Sequence, residues 1–167
     1  MAVAGYDLCP GVSVAQIVAQ AQAAVRHLAE WSGGRVVVAG HSAGGHLAAG
    51  CAAAADLPVQ AALCLSGLFD LRPLLPTTIN AKLGLDEAAA MAASPLLRRA
   101  PPCPVDLVVG EWESAEYHRQ SLTLAAAWPA VARYEVLAGA HHFSVIAPLT
   151  DPASPLSRRL AALAATS

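Results

Sequence analysis

Charged side chains are scarce in this 167-residue chain: Asp, Glu, Lys and Arg make up 13% of it, with a formal net charge of −2. The sequence pI is about 6.3 and no block of like charges occurs, so nothing favours nucleic acid or an anionic membrane surface as partner. Also missing is any stretch of about 18 residues free of polar groups, which argues against a transmembrane helix. The richest apolar region, residues 47–55, is cut off by Asp56 and Pro58. No basic segment precedes Tyr6, so a secretory leader is not expected. The four cysteines, Cys9, Cys51, Cys64 and Cys103, form no C-x-x-C pair and read as free thiols of a cytoplasmic protein. A phosphate-binding G-x-G-x-x-G is absent, which ranks a cofactor-binding flavodoxin-like module last among the readings.

What the chain has in abundance is apolar residues, 56% of the total, with a mean hydropathy of +0.48. Most of the excess is alanine, which suits packed helices, and strands covered on both faces would absorb the rest. A domain of this length can bury a substantial core, and with no internal repeat or linker the expectation is one domain over residues 1–167. Residues 2–8 read as a short strand ending in the turn Cys9-Pro10-Gly11. Ser13 and Gln16 make a capping-box pattern, followed by Val14, Ile17, Val18, Ala21, Val25 and Leu28 at helical spacing and a stop at Gly33-Gly34. Further strands are predicted at 35–39, 60–66, 105–109 and 132–137. Between and after them come a helix of small residues over 43–55, a short one capped by Asp86 and ended at Ser94-Pro95, one from Ser114 to about Trp128, and one opening at Ser154-Pro155. Strands alternating with helices predict crossover units and a parallel sheet.

Gly40-His41-Ser42-Ala43-Gly44 matches G-x-S-x-G, the nucleophile elbow, and the burst Val36-Val37-Val38 before it and the helix-like stretch after it supply the context that motif requires. On such a turn flanking side chains would clash, hence the glycines. The Ser42 oxygen is lifted above the sheet at a helix N-terminus, and the Ala43 N–H becomes an oxyanion donor. A serine hydroxyl needs a base held by a carboxylate, and around this elbow the chain order is serine, acid, histidine. The loop after the fourth strand carries Glu111 and Glu113, and the loop after the fifth carries His141 and His142. From the residues alone Glu111, Glu113 or Asp70 could be the acid, and either histidine the base. A metal cluster of His41, His46, His141 and His142 is the weaker alternative, having no carboxylate ligand at recognisable spacing.

The chain resembles the kynurenine formamidase (arylformamidase) branch of the α/β-hydrolases. The resemblance is carried by Tyr6-Asp7-Leu8-Cys9-Pro10, by Gly40 to Leu47, by Ser66-Gly67-Leu68-Phe69-Asp70-Leu71-Arg72-Pro73-Leu74, by Thr78, Asn80 and Ser94-Pro95, by Glu113 to Ser121, and by His142-Phe143. It implies a three-layer α/β-hydrolase fold, a mostly parallel sheet with helices on both faces, here lacking the N-terminal strands. By position it selects Glu113 as acid, where the family usually has aspartate, and His142 as base, beside the nucleophile Ser42. It leaves Asp70 and Arg72 as a loop-positioning ion pair. Phe69, Trp112, Tyr117 and Phe143 become candidates for an aromatic pocket wall or for core packing. The implied substrate is a small aryl formamide such as N-formyl-kynurenine, with no metal or organic cofactor. A carboxylesterase using the same residues, or a non-catalytic fragment completed by a partner, are the rival readings.

The family's His-Gly-Gly segment, source of a second oxyanion donor, lies upstream of the Tyr-Asp-Leu-x-Pro strand at which this chain starts, so an N-terminal truncation is expected. In the full fold another strand separates residues 2–8 from 35–39. Without it, 2–8 should either pair directly with 35–39 or stay loosely docked. The bare strand edge would invite a homo-oligomer.

Overall fold

The computed structural model describes residues 1–165. Helix α1 (Val14–Ser32) starts where its sequence pattern places it: the Gln16 N–H donates to Ser13 Oγ at 3.2 Å and the Ser13 N–H to Gln16 Oε1 at 2.8 Å. It ends at Gly33, whose φ of 70° is one that L side chains avoid, and the Gly34 N–H closes back on the Ala29 carbonyl. Strands β1 (Val36–His41), β2 (Val59–Leu65), β3 (Val105–Gly110) and β4 (Ala132–Leu137) form one parallel sheet in the order β1-β2-β3-β4. Helix α2 (Ala43–Ala52) links β1 to β2, and α5 (Ala115–Ala127) links β3 to β4. The longer connection from β2 to β3 holds α3 (Asn80–Leu83) and α4 (Glu87–Ala93), and α6 (Pro155–Ala165) follows β4.

Residues on alternate sides of a strand face opposite layers, and both layers are filled. Ala62, Cys64, Val105 and Leu107 pack with Val25 of α1, Ala48, Ala49 and Cys51 of α2, and Leu124 of α5. Leu63, Leu65 and Val108 point the other way, onto Val145 and onto Leu156 of α6. Helices therefore cover both faces, as a nearly unbroken apolar strand such as β2 requires. Among the described residues no helix is long and apolar enough to cross a membrane.

Two local expectations change. Residues 2–8 are not a strand: Met1, Val3 and Leu8 are exposed, and the segment is tied to α1 only where Asp7 N–H donates to Gln20 Oε1 and Gln20 Nε2 donates to Asp7 Oδ2. A strand exists only through its ladder partner, and the segment pairs with no sheet edge, so of the two foreseen outcomes it takes the docked one. Strand β1 runs two residues beyond the expected end, because Gly40 and His41 still pair with Cys64 and Leu65. The sheet thus leads directly into Ser42. The shorter elements hold as read: Asp86 Oδ1 accepts from the Ala89 N–H to cap α4, and Ser154 Oγ accepts from the Ser157 N–H at the start of α6.

Candidate active site

Ser42 sits between β1 and α2 with φ 56° and ψ −116°, a conformation that costs a non-glycine residue about 1–3 kcal/mol. Its surroundings over-determine it: the Ser42 N–H donates to the Leu65 carbonyl at 2.8 Å and the Ser42 carbonyl accepts from the His46 N–H at 3.1 Å. A Cβ on Gly40 would lie 2.1 Å from the Gly44 carbonyl oxygen, and one on Gly45 would lie 2.9 Å from Gly67 Cα. Gly44 itself has open space where a side chain would go, so the flanking-glycine requirement falls on Gly40 and Gly45, and on Gly44 only as the backbone that Gly40 must clear. The Ala43 N–H opens α2, where helix geometry provides no intrahelical acceptor.

The loops after β3 and β4 are stitched to each other. Glu111 N–H donates to the Leu137 carbonyl and Trp112 N–H to the Ala140 carbonyl, while Gly139, at φ 68°, gives its N–H to Glu111 Oε2 at 2.7 Å. That bond accounts for Glu111 as a loop brace. Beyond the stitch, Glu113 turns a fully buried carboxylate toward His142, with Oε2 2.7 Å from Nδ1. His142 Nε2 lies 3.2 Å from Ser42 Oγ. Ser42, His142 and Glu113 therefore form one connected hydrogen-bond chain drawn from three loops at the carboxyl ends of parallel strands, where open α/β sheets bind ligands.

The remaining candidates lie elsewhere. His141 Nδ1 accepts from the N–H groups of Phe143 and Ser144 and so closes its own turn. Asp70 is clamped by Arg72, its Oδ2 2.8 Å from Nη2, and the guanidinium holds its carboxyl below the usual range. His46 is buried with its Nδ1–H donating to the Leu68 carbonyl, away from His41, His141 and His142, so the four histidines do not converge. Among the described residues no cluster of three or more His, Cys, Asp or Glu could hold a metal ion. Of the aromatic candidates, Phe69 is a correction: its ring has no solvent exposure and packs in the core beneath Gly67, too deep to line an accessible wall. Tyr117 stacks on the His142 ring with centroids 4.4 Å apart, its hydroxyl 3.5 Å from Nε2. Phe143 meets the same ring edge-on at 5.4 Å, and both Phe143 and Trp112 are largely exposed at the surface.

Four residues to which pattern reading gave no part in positioning the triad candidates also shape the site. Ser66 donates its hydroxyl to Glu113 Oε1, and the Gly110 N–H reaches the same oxygen at 2.8 Å. Gln120, fully buried on α5, accepts from the N–H groups of Phe69 and Asp70 through Oε1 and donates Nε2 to the Asp70 carbonyl, fixing the loop after β2. His41 Nε2–H donates to the His142 carbonyl at 2.7 Å. Burial drives the Glu113 carboxyl toward its neutral form, but bonds from Ser66, Gly110 and His142 outweigh this and hold it below its ordinary value. Burial, with the neighbouring His142, lowers His41.

No known protein-family profile matches the chain. It is 27% identical over 166 residues to a kynurenine formamidase of Danio rerio and 28% identical over 167 residues to one of Salmo salar, in each case 88% of this chain and 56% of the relative. The chain thus spans little more than half the length of these relatives. Its fold superposes with a TM-score of 0.86 on a provisionally assigned thioesterase of Silicibacter sp., at 36% identity, covering 94% of this chain and 62% of that one. An esterase/lipase from an uncultured bacterium, 20% identical, shares the fold at a TM-score of 0.73 over 93% of this chain and 61% of its own.

Proposed function

We propose that this chain, an α/β-hydrolase by its fold, is the catalytic part of a serine hydrolase that cleaves an aryl formamide such as N-formyl-kynurenine. The observation that carries the reading is the unbroken chain from Ser42 Oγ through His142 to Glu113, at 3.2 and 2.7 Å. The likeness to kynurenine formamidases supports the substrate class.

Hydrolysis then proceeds in two halves. His142 Nε2 takes the Ser42 proton as the serine oxygen attacks the formyl carbon, while Nδ1–H stays on Glu113 Oε2 and keeps the ring in the required tautomer. The Ala43 N–H, at the head of α2, donates to the oxyanion. The imidazolium returns its proton to the departing aryl amine, leaving a formyl ester on Ser42. Water, deprotonated by His142, adds to that ester, and formate leaves with Ser42 reprotonated. No step calls for a metal or organic cofactor. Each oxyanion donor at such a site is worth about 10²–10³ in rate.

The test is hydrolysis of N-formyl-kynurenine by the purified chain and by Ser42→Ala, with circular dichroism to confirm folding. Loss of about 10³-fold or more in kcat on substitution supports the mechanism, and retained activity in Ser42→Ala rules it out. The Silicibacter neighbour favours a second reading, a short acyl ester or thioester as substrate. A higher kcat/KM for such a compound than for the formamide would select it.

A further inference from the structure

The acid of the proposed triad is a glutamate whose side chain has no solvent exposure, so each of its oxygens must be satisfied from within the protein. Oε2 faces His142 Nδ1. Oε1 accepts from the Gly110 N–H, on the acid's own strand end, and from the Ser66 hydroxyl, which comes from a different strand. Ser66 is itself fully buried at the end of β2, with φ 50°, and its N–H donates to the Val108 carbonyl at 2.8 Å. Its neighbour Leu65 accepts the Ser42 N–H. The strand end that holds the nucleophile's backbone therefore also holds the acid's far oxygen.

We propose that Ser66 is a positioning residue that fixes the rotation of the Glu113 carboxylate, and through it the ring of His142. Gly110 alone could hold Oε1 from one direction only. With the Ser66 donor added from the end of the neighbouring strand, the carboxylate plane is set and Oε2 is left aimed at Nδ1. The length of the glutamate side chain gives Oε1 the reach for these two donors. The inference rests on the hydrolase reading of the site, but Ser66 is buried and touches no substrate.

The measurable consequence is a pH shift. The Ser66 hydroxyl is among the donors that keep the buried Glu113 carboxyl ionised against the cost of burial, so removing it favours the neutral acid. The other groups facing this pair are His41 at the end of β1, whose ring lies 4.6 Å from that of His142, and the Tyr117 hydroxyl on α5. Both remain in the variants. Ser66→Gly removes the hydroxyl while relieving the positive φ, and Ser66→Ala removes it while keeping that strain. Both should lower kcat by about 10- to 100-fold with KM unchanged. Both should raise the Glu113 carboxyl titration followed by NMR in the free protein, because the lost Ser66 bond is one of those that hold it below its ordinary value. In a Glu113→Gln background Ser66→Gly should change kcat less than about twofold.

Wild-type kcat in Ser66→Gly, an unmoved Glu113 titration, or an undiminished effect in the Glu113→Gln background would each overturn the proposal. If the chain turns over neither formamide nor ester, the NMR titration and the rate of Ser42 labelling by a fluorophosphonate still decide it. A failed substrate reading and a failed role for Ser66 therefore give different results.

Discussion

At Glu113 the arrangement of donors matters as much as the charge. Replacing it with glutamine leaves the shape and removes the ionised acceptor, so His142 Nδ1–H loses its anchor and the ring can settle in the wrong tautomer. Glu113→Gln is expected to reduce kcat by about 10²–10⁴ with little change in KM, measured on whichever substrate the wild type turns over. The choice between Glu111 and Glu113, and between His141 and His142, is open in the residues themselves, because the members of each pair share one loop. Only contacts separate them: Glu111 braces Gly139 and His141 closes its own turn. The contacts of Ser66 and Gln120 went unread for the same reason. Each acts on residues about 50 positions away, and nothing local distinguishes a serine at a strand end from one that holds a carboxylate.

Among the elements, those specified by neighbours a few residues apart were legible and those needing a distant partner were not. The capping box at Ser13 and Gln16 is of the first kind. Ser13→Ala should lower stability by about 0.5–2 kcal/mol, read as a lower midpoint in urea, with kcat unaffected because α1 touches no catalytic side chain. The four sheet strands showed as apolar bursts between turn residues, and their order in the sheet repeats their order in the chain. Residues 2–8 have the composition of a strand but pair with nothing, and composition carries no information about whether a partner edge is at hand. The helix-ended loops after β1, β3 and β4 assemble the site because parallel strands present all their carboxyl ends on one side of the sheet.

For the molecule as a whole, acid should be destabilising in two steps. His46 is buried with its titration lowered from the ordinary 6.5, chiefly by burial and against its bond to the Leu68 carbonyl. The unfolded chain therefore binds a proton that the folded one refuses. Stability is fully present above 6.5 and falls as the pH drops from there toward the depressed folded value. Glu113, also depressed, adds a loss that begins below its ordinary 4.5. The fall in Tm between pH 7 and pH 5 should be smaller in His46→Asn, whose amide can still donate to Leu68, than in the wild type; an equal fall would show that His46 is not the source. A last consequence follows from the place of β1, which pairs with β2 on one side and, among the described residues, with nothing on the other. The edge strand and the strand that leads into Ser42, the proposed nucleophile, are the same six residues. An extended peptide annealing to that rim would be seated beside Ser42, so occupation of the edge would be read directly by any label placed on that serine.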